Sequence, residues 1–295
     1  MVDLLPDNER KIDQMIIDFK MKAPIPHWEK LFQDGRTGVI NTFKILENVV
    51  PTQANSLQDV LNEMDEQGIT HSVILGRNNE PGSSNEELLQ FLQSPQGERF
   101  FGFIGIEDMT VDEAVETIHK YAKTGSFHGV QAIASKIKPL TPVGDPSLDP
   151  IFEACIEHDL PFCYTLSLLI TLMSEKPDYD YIHPKHLMRT ASKYPDLKII
   201  ISHAAWPFVQ ESIAVATHFP NVYLLPDFYI AFPGANQYAE AAKSGLADQI
   251  IFGSCYPNVP YDFSIGHYRR HHFEPEILEK VLYKNAARLL KMDLK

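Results

Sequence analysis

One hydrophobic grammar repeats along the chain: a short apolar run of β type, then a stretch with helical spacing. The first strand is expected from Met15 to Met21, MIIDFKM. A long loop follows, then SLQDVLNEMDEQG, where Leu57, Leu61 and Met64 share one helical face and Gly68 suits the C-terminal stop. HSVILG from His71 is the second strand, and Ser84 with Glu87 makes a capping-box pattern ahead of LLQFL. FFGFIGI from Phe100 is the third, with Thr110 and Glu113 repeating the capping box before VDEAVETIHKYAK. HGVQAIA from His128, LPFCYTL from Leu160, LKIIIS from Leu197, NVYLL from Asn221 and QIIFGS from Gln249 continue as strands four to eight. Their helical partners are DPIFEACIEHD, HPKHLMRTASKY (after a second long loop), FVQESIAVATHF, NQYAEAAKSG and PEILEKVLYKNAARLL.

Several of these strands are near-continuous apolar runs, as expected for strands buried on both faces of a parallel sheet. Eight βα units over 295 residues predict an α/β fold of the (β/α)8 TIM-barrel type, one domain spanning residues 1–295. A doubly wound open sheet is the alternative, weakened because no G-x-G-x-x-G follows the first strand. No Gly/Ser linker, low-complexity tract or short repeat divides the chain.

Composition narrows the partners. With 39 acidic and 26 basic residues the formal charge is −13, and no long basic run is present. Nucleic acid and anionic membrane surfaces both call for clustered Lys and Arg, so neither is expected as a partner. The opening MVDLLPDNERKIDQ has no apolar signal-peptide core, and no apolar run reaches the ~18 residues of a membrane span. Cys155, Cys163 and Cys255 make no disulfide framework, so the reducing cytoplasm is the expected compartment.

Chemistry in such barrels sits at the C-terminal ends of the strands. That rule selects Asp18, Lys20 and Lys22 from strand one, Arg77 and Asn78 from strand two, Glu107 and Asp108 from strand three, and Gln131 from strand four. Cys163, Tyr164 and Thr165 end strand five, Ser202 and His203 strand six, Asp227 strand seven, and Ser254 with Cys255 strand eight. Lys20 and Lys22 are two apart and share a strand face. Converging ammoniums depress each other's pKa, which suits a general base or Schiff-base nucleophile; charged, they clamp a carboxylate. Solvated lysines at a loop edge are the plain alternative. His203 suits a metal ligand, a general base or a buried hydrogen-bonded histidine. Cys255 is a nucleophile only if its thiolate is accessible and stabilised, and otherwise a packing residue. The run HYRRHHF, from His267 to Phe273, places Arg269 and Arg270 after strand eight, where they either cap the mouth over an anion or lie on a helix surface. The adjacent His271 and His272 do not converge on one ion easily.

These segments together resemble the amidohydrolase-related family of metal-dependent barrel hydrolases, which also holds decarboxylases of small acids. MIIDFKMK resembles the family's opening I-D-x-H-x-H, and DPIFEACIEHDLPFCYTL its P-x-[FY]-E-A…L-P-V-x-x-H stretch. YPDLKIIISHAAWPFVQESIAVATHFPNVYL resembles P-x-L-K-x-V-x-x-H-x-G-x-P-W with the P-N-V-Y that follows. QIIFGSCYP is similar to R-[IV]-[LM]-F-G-S-D-Y-P, and VLYKNAARLL to the closing N-A-x-R-L-[LF]. The resemblance implies two His ligands on strand one, one each on strands five and six, and an Asp on strand eight. Here those positions hold Lys20, Lys22, Thr165 (or Tyr164, one register away), His203 and Cys255. One ligand of five survives, so the family's metal site is not carried over, and neither metal nor cofactor is expected. Lysines in place of a metal and an Asp keep the mouth electropositive, and ammonium donors can polarise a carbonyl as a metal does.

The resulting expectation is a metal-independent enzyme acting on a small anionic, carboxylate-bearing substrate. The reaction would be hydrolysis of a lactone or amide-type bond, or decarboxylation. Lys20, Lys22, His203 and Cys255 are its candidate catalytic residues; Arg77, Tyr164, Thr165, Trp206 and Arg269 are its candidate substrate contacts. A catalytically inactive family member that binds a ligand or partner is the alternative. A third reading is an unorthodox metal enzyme using His203, Cys255, Asp18 or Asp227 and a His of the 267–272 run. Family members are often homo-oligomers, though no interface is legible here.

Overall fold

The computed structural model describes residues 15–23, 29–77, 84–138, 140–166 and 179–293. Seven strands form one sheet in the order β1 (Ile16–Met21), β2 (Ile69–Leu75), β3 (Phe100–Gly105), β4 (Phe127–Ile133), β5 (Phe162–Thr165), β6 (Ile199–Ser202) and β7 (Val222–Leu225). Every neighbouring pair is parallel, for example Tyr164 beside Ile201 and Ile201 beside Leu224. Parallel neighbours require crossover connections, and the amphipathic helices provide them.

The eighth strand read from Gln249 departs from expectation. Residues 250–256 make isolated bridges, Ile250 to Leu224 and Tyr256 to Met21, and no full ladder. They still close the sheet by bonding to both edges. Leu224 N donates to Gln249 O at 2.8 Å on the β7 side; Phe19 N donates to Phe252 O at 3.1 Å and Cys255 N to Lys20 O at 2.8 Å on the β1 side. The irregularity has a local cause: Cys255 takes a left-handed backbone with φ 62°, and Ser254 is bound sideways to Asp18.

The helices are α1 (Glu29–Thr42), α2 (Leu57–Gln67), α3 (Asn85–Leu92), α4 (Val111–Ala122), α5 (Asp149–Glu157), α6 (Leu187–Lys193), α7 (Val209–His218), α8 (Asn236–Ala241) and α9 (Tyr261–Arg270). A last helical run comprises α10 (Pro275–Glu279), a π-type turn and α11 (Asn285–Leu289). The capping boxes of α3 and α4 form as read, and Ser56 with Asp59 forms a third on α2, whose C-cap Gly68 is left-handed. One expectation fails: the long loop after the first strand contains α1. Its sequence EKLFQDGRTGVINT holds two glycines and no clean apolar stripe, so periodicity does not reveal it. The second long loop falls mostly on residues 167–178, which with Asn78 lie outside the described residues. Among the described residues, no helix is long and apolar enough to cross a membrane.

Alternate residues on each strand divide between two cores, as the two-residue period demands. Ile16, Ile74, Ile104, Phe162, Tyr164 and Ile201 pack outward under the helices. Ile17, Phe19, Val73, Phe103, Cys163, Ile200 and Leu225 fill the barrel. Tyr283, Ala286, Ala287, Leu289 and Leu290 belong to the same interior cluster, so the C-terminal run stops one end of the barrel. Phe103 fits because β4 offers Gly129 opposite it: a Cβ there would sit 2.3 Å from the ring. Gly129→Val is therefore expected to lower stability by about 1–3 kcal/mol through overpacking, measured by urea denaturation; an unchanged midpoint would contradict this packing.

Candidate active site

The strand ends bring a small set of polar side chains around one cavity, lined by Lys20, Lys22, Arg77, Gln131, Thr165 and Cys255 among others. β1 shifts register between Asp18 and Met21; Phe19 joins the barrel core while Lys20 lines the cavity.

Lys20 is the most constrained of these side chains. Its Nζ donates to Ser202 Oγ at 2.6 Å and lies 2.9 Å from His203 Nε2. Asp227 Oδ2 is 3.7 Å away. His203 Nδ1 in turn lies 2.7 Å from Asp227 Oδ2, off the direction of a good hydrogen bond, so that pair is an electrostatic contact more than a directed bond. Burial lowers the His203 pKa to about 4; Asp227 opposes the shift and Lys20 adds to it. The ring is therefore neutral near pH 7. With the proton on Nδ1, towards Asp227, the Nε2 lone pair accepts from the Lys20 ammonium.

Lys22 Nζ donates to Asn258 Oδ1 at 3.2 Å, and Asn258 Nδ2 donates to Cys255 Sγ at 3.2 Å. Burial raises the Cys255 thiol, partly offset by Lys20 and Lys22, so its resting form is the thiol, a poor nucleophile. Gln131 Nε2 is held by Gly76 O at 2.7 Å and by Glu107 Oε1, while Thr165 Oγ1 donates to Gln131 Oε1 at 3.4 Å.

The backbone is left-handed at His203 (φ 61°), Ala204 (46°), Ala205 (58°), Asp227 (46°) and Cys255 (62°). Five non-glycine residues in this region, all just beyond strands six to eight, are costly conformations and cluster where strained backbone usually serves function.

The sequence-named residues thus sort by position. Lys20, Lys22, Cys255, Arg77 and Thr165 line the cavity, and His203 stands one hydrogen bond behind Lys20. Trp206 packs on Tyr229 and Phe232, its Nε1 donating to Pro233 O at 3.1 Å, so it belongs to an aromatic wall behind His203. Tyr164 is a correction: strand alternation turns it outward against Phe152 and Phe162, and Thr165 takes the inward position. Arg269 is a second: it is half-buried on α9 and is not part of the cavity lining. The expected basic floor also needs revision. Asp18, Glu107 and Asp227 are buried at the same strand ends, so the cations face the cavity and carboxylates stand behind them. Ser202, Gln131, Asp227 and Asn258 acquire contacts that spacing alone did not assign. Their strand-end positions were the available signal, except for Asn258, which follows the cis Tyr256–Pro257 bond.

A divalent metal of the resembling family does not fit this donor set. Ammoniums occupy the strand-one positions, and the His203 lone pair that would bind an ion is taken by Lys20. The strand-eight donor is a thiol kept protonated by burial.

Asp18 holds the closure together. It accepts Ser254 N at 2.7 Å, Ser254 Oγ at 2.6 Å and Lys20 N at 3.1 Å. Burial nonetheless raises it from 3.8 to about 7, against the pull of the Ser254 bonds. The folded form therefore holds a proton that the unfolded chain releases. Its stabilisation is complete below pH 4 and is lost as pH rises through 7. Asp18→Asn should remove that slope, so its stability relative to the parent should grow from pH 4 to pH 8 in urea titrations. A constant difference across that range would refute the assignment.

Comparison with known proteins bears on the family and the fold. The family model for Amidohydrolase matches residues 45–292. An L-fucono-1,5-lactonase of Burkholderia ambifaria is 28% identical over 118 residues, 39% of this chain and 35% of the lactonase. The match thus spans about a third of that relative's length. An uncharacterized TIM-barrel protein of Bordetella bronchiseptica superposes with a TM-score of 0.80 at 28% identity, covering 94% of this chain and 98% of its own. A 5-carboxyvanillate decarboxylase of Sphingomonas paucimobilis shares the fold, with a TM-score of 0.60 at 14% identity over 95% of this chain and 99% of its own. With a family match over most of its length, the closed eight-unit parallel barrel and the strand-end site, this chain belongs to the amidohydrolase family.

Proposed function

We propose that this chain is a metal-independent hydrolase that opens a lactone or amide-type bond in a small carboxylate-bearing substrate. The observation that carries the reading is Lys20. Its amine faces the cavity while Ser202 and His203 hold it from behind, which fixes a cationic donor where a metal would otherwise polarise the substrate.

Arg77 and Lys22 supply charge for the substrate carboxylate. Lys20 directs an N–H at the scissile carbonyl oxygen and stabilises the oxyanion as water adds. Lys20 gives its proton to that oxygen, and the freed amine takes the proton that the added water gives up, while neutral His203 and Ser202 hold the amine in place. The reverse transfer returns a proton to the leaving oxygen or nitrogen as its bond to carbon breaks. Cys255 acts as a thiol wall and hydrogen-bond partner of Asn258. The lactonase relative supports a cyclic ester as substrate. The decarboxylase fold neighbour makes loss of carbon dioxide the competing outcome, since the same cations suit a carboxylate.

Activity of the chelator-treated protein on a lactone panel is the test. Retained hydrolysis is expected, and complete loss restored by zinc or manganese would sink the reading. Lys20→Ala should lower kcat by about 100-fold or more, with Cys255→Ser within about tenfold of the parent; the opposite ranking would point to a covalent cysteine route. His203 should remain neutral down to about pH 5, read from its imidazole nitrogen shifts, because its folded value lies near 4.

A further inference from the structure

We propose that His119, Glu157 and His158 form a divalent-cation site of the zinc type, separate from the barrel mouth. It goes beyond the hydrolase reading and does not depend on it. Among the described residues this is the one group of three or more His, Cys, Asp or Glu side chains whose ligand atoms all lie within 4.8 Å of one another. His119 stands in the last turn of α4, Glu157 closes α5 and His158 is its C-cap.

Three features make it more than a surface cluster. The His119 Nδ1 and His158 Nε2 atoms face each other at 2.8 Å. Two imidazole nitrogens bound tetrahedrally to zinc stand about 3.3 Å apart, given zinc–nitrogen bonds of 2.0–2.1 Å. An ion therefore needs the rings to part by only about half an ångström. The residues lie at the C-terminal ends of two neighbouring helices, whose exposed carbonyl dipoles favour positive charge. Finally, Glu157 is exposed and offers a carboxylate, completing a His2Glu set with room for water as fourth ligand. Imidazole with carboxylate suits zinc, nickel and copper over magnesium or calcium.

The placement separates this site from the chemistry. In a parallel barrel the helices run against the strands, so the C-terminal ends of α4 and α5 sit at the opposite end from the strand-end cavity. A bound ion would bridge α4 to α5. Zinc found in the purified protein would then report on this face and not on catalysis.

The test is titration of the chelator-stripped full chain with zinc chloride, by calorimetry and by the melting temperature. One zinc per chain and an upward shift are expected. His119→Ala and His158→Ala should each weaken binding by more than about 100-fold, beyond the loss an outer-sphere contact causes, while remaining folded by circular dichroism. Lys20→Ala should bind zinc as the parent does. X-ray absorption at the zinc edge should show two imidazole ligands. Absence of saturable binding by the parent, histidine variants that bind as tightly as it does, or loss of binding in Lys20→Ala would each overturn the proposal.

Discussion

The Asp18 carboxylate is the constraint on which the rest of the site depends. It is wholly buried, and its three accepted bonds tie β1 to the segment that completes the barrel. Through Lys20 N it fixes the backbone that carries the first lysine. Through Ser254 it fixes the turn that presents Cys255. A segment with only a few backbone bonds to its neighbours is thus reinforced by one side chain. The barrel closes at the place where its chemistry is gathered.

The second organising principle is the layering of charge. Lys20, Lys22 and Arg77 meet the cavity, and Asp18, Glu107 and Asp227 are buried among the same strand ends. A buried cation without a counter-charge would be neutralised or expelled. Buried Asp227 stands 3.7 Å from the Lys20 amine as its counter-charge. An acidic chain thereby presents a cationic surface at one small place. A nearby metal would compete for the positions those ammoniums hold.

Much of this was legible in the sequence. Apolar runs located seven strands, and Ser84 with Glu87 and Thr110 with Glu113 located helix starts, because those signals are local. Lys20 and Lys22 announced themselves by spacing, and His203 and Cys255 by strand-end position. What stayed hidden depends on contacts distant in sequence. Helix α1 carries glycines and no clean stripe, and is held by packing that no periodicity reports. The choice between Tyr164 and Thr165 turns on a one-residue register, which flips a side chain from mouth to outer core. Asp227 was named at the end of strand seven, but its place against His203 came only from the fold. Arg269 looked like a mouth residue by sequence proximity, yet a helix carries it elsewhere.

The C-terminal run has a kinetic consequence. Among the described residues, Tyr283, Leu289 and their neighbours stopper the barrel from the end opposite the cavity. On the proposed hydrolase reading, substrate and product would both use the strand-end mouth. If ring opening yields an acid that keeps its carboxylate and gains another, the departing molecule carries more of the feature the lysines hold than the arriving one. Release of that product would then set the pace of the proposed reaction.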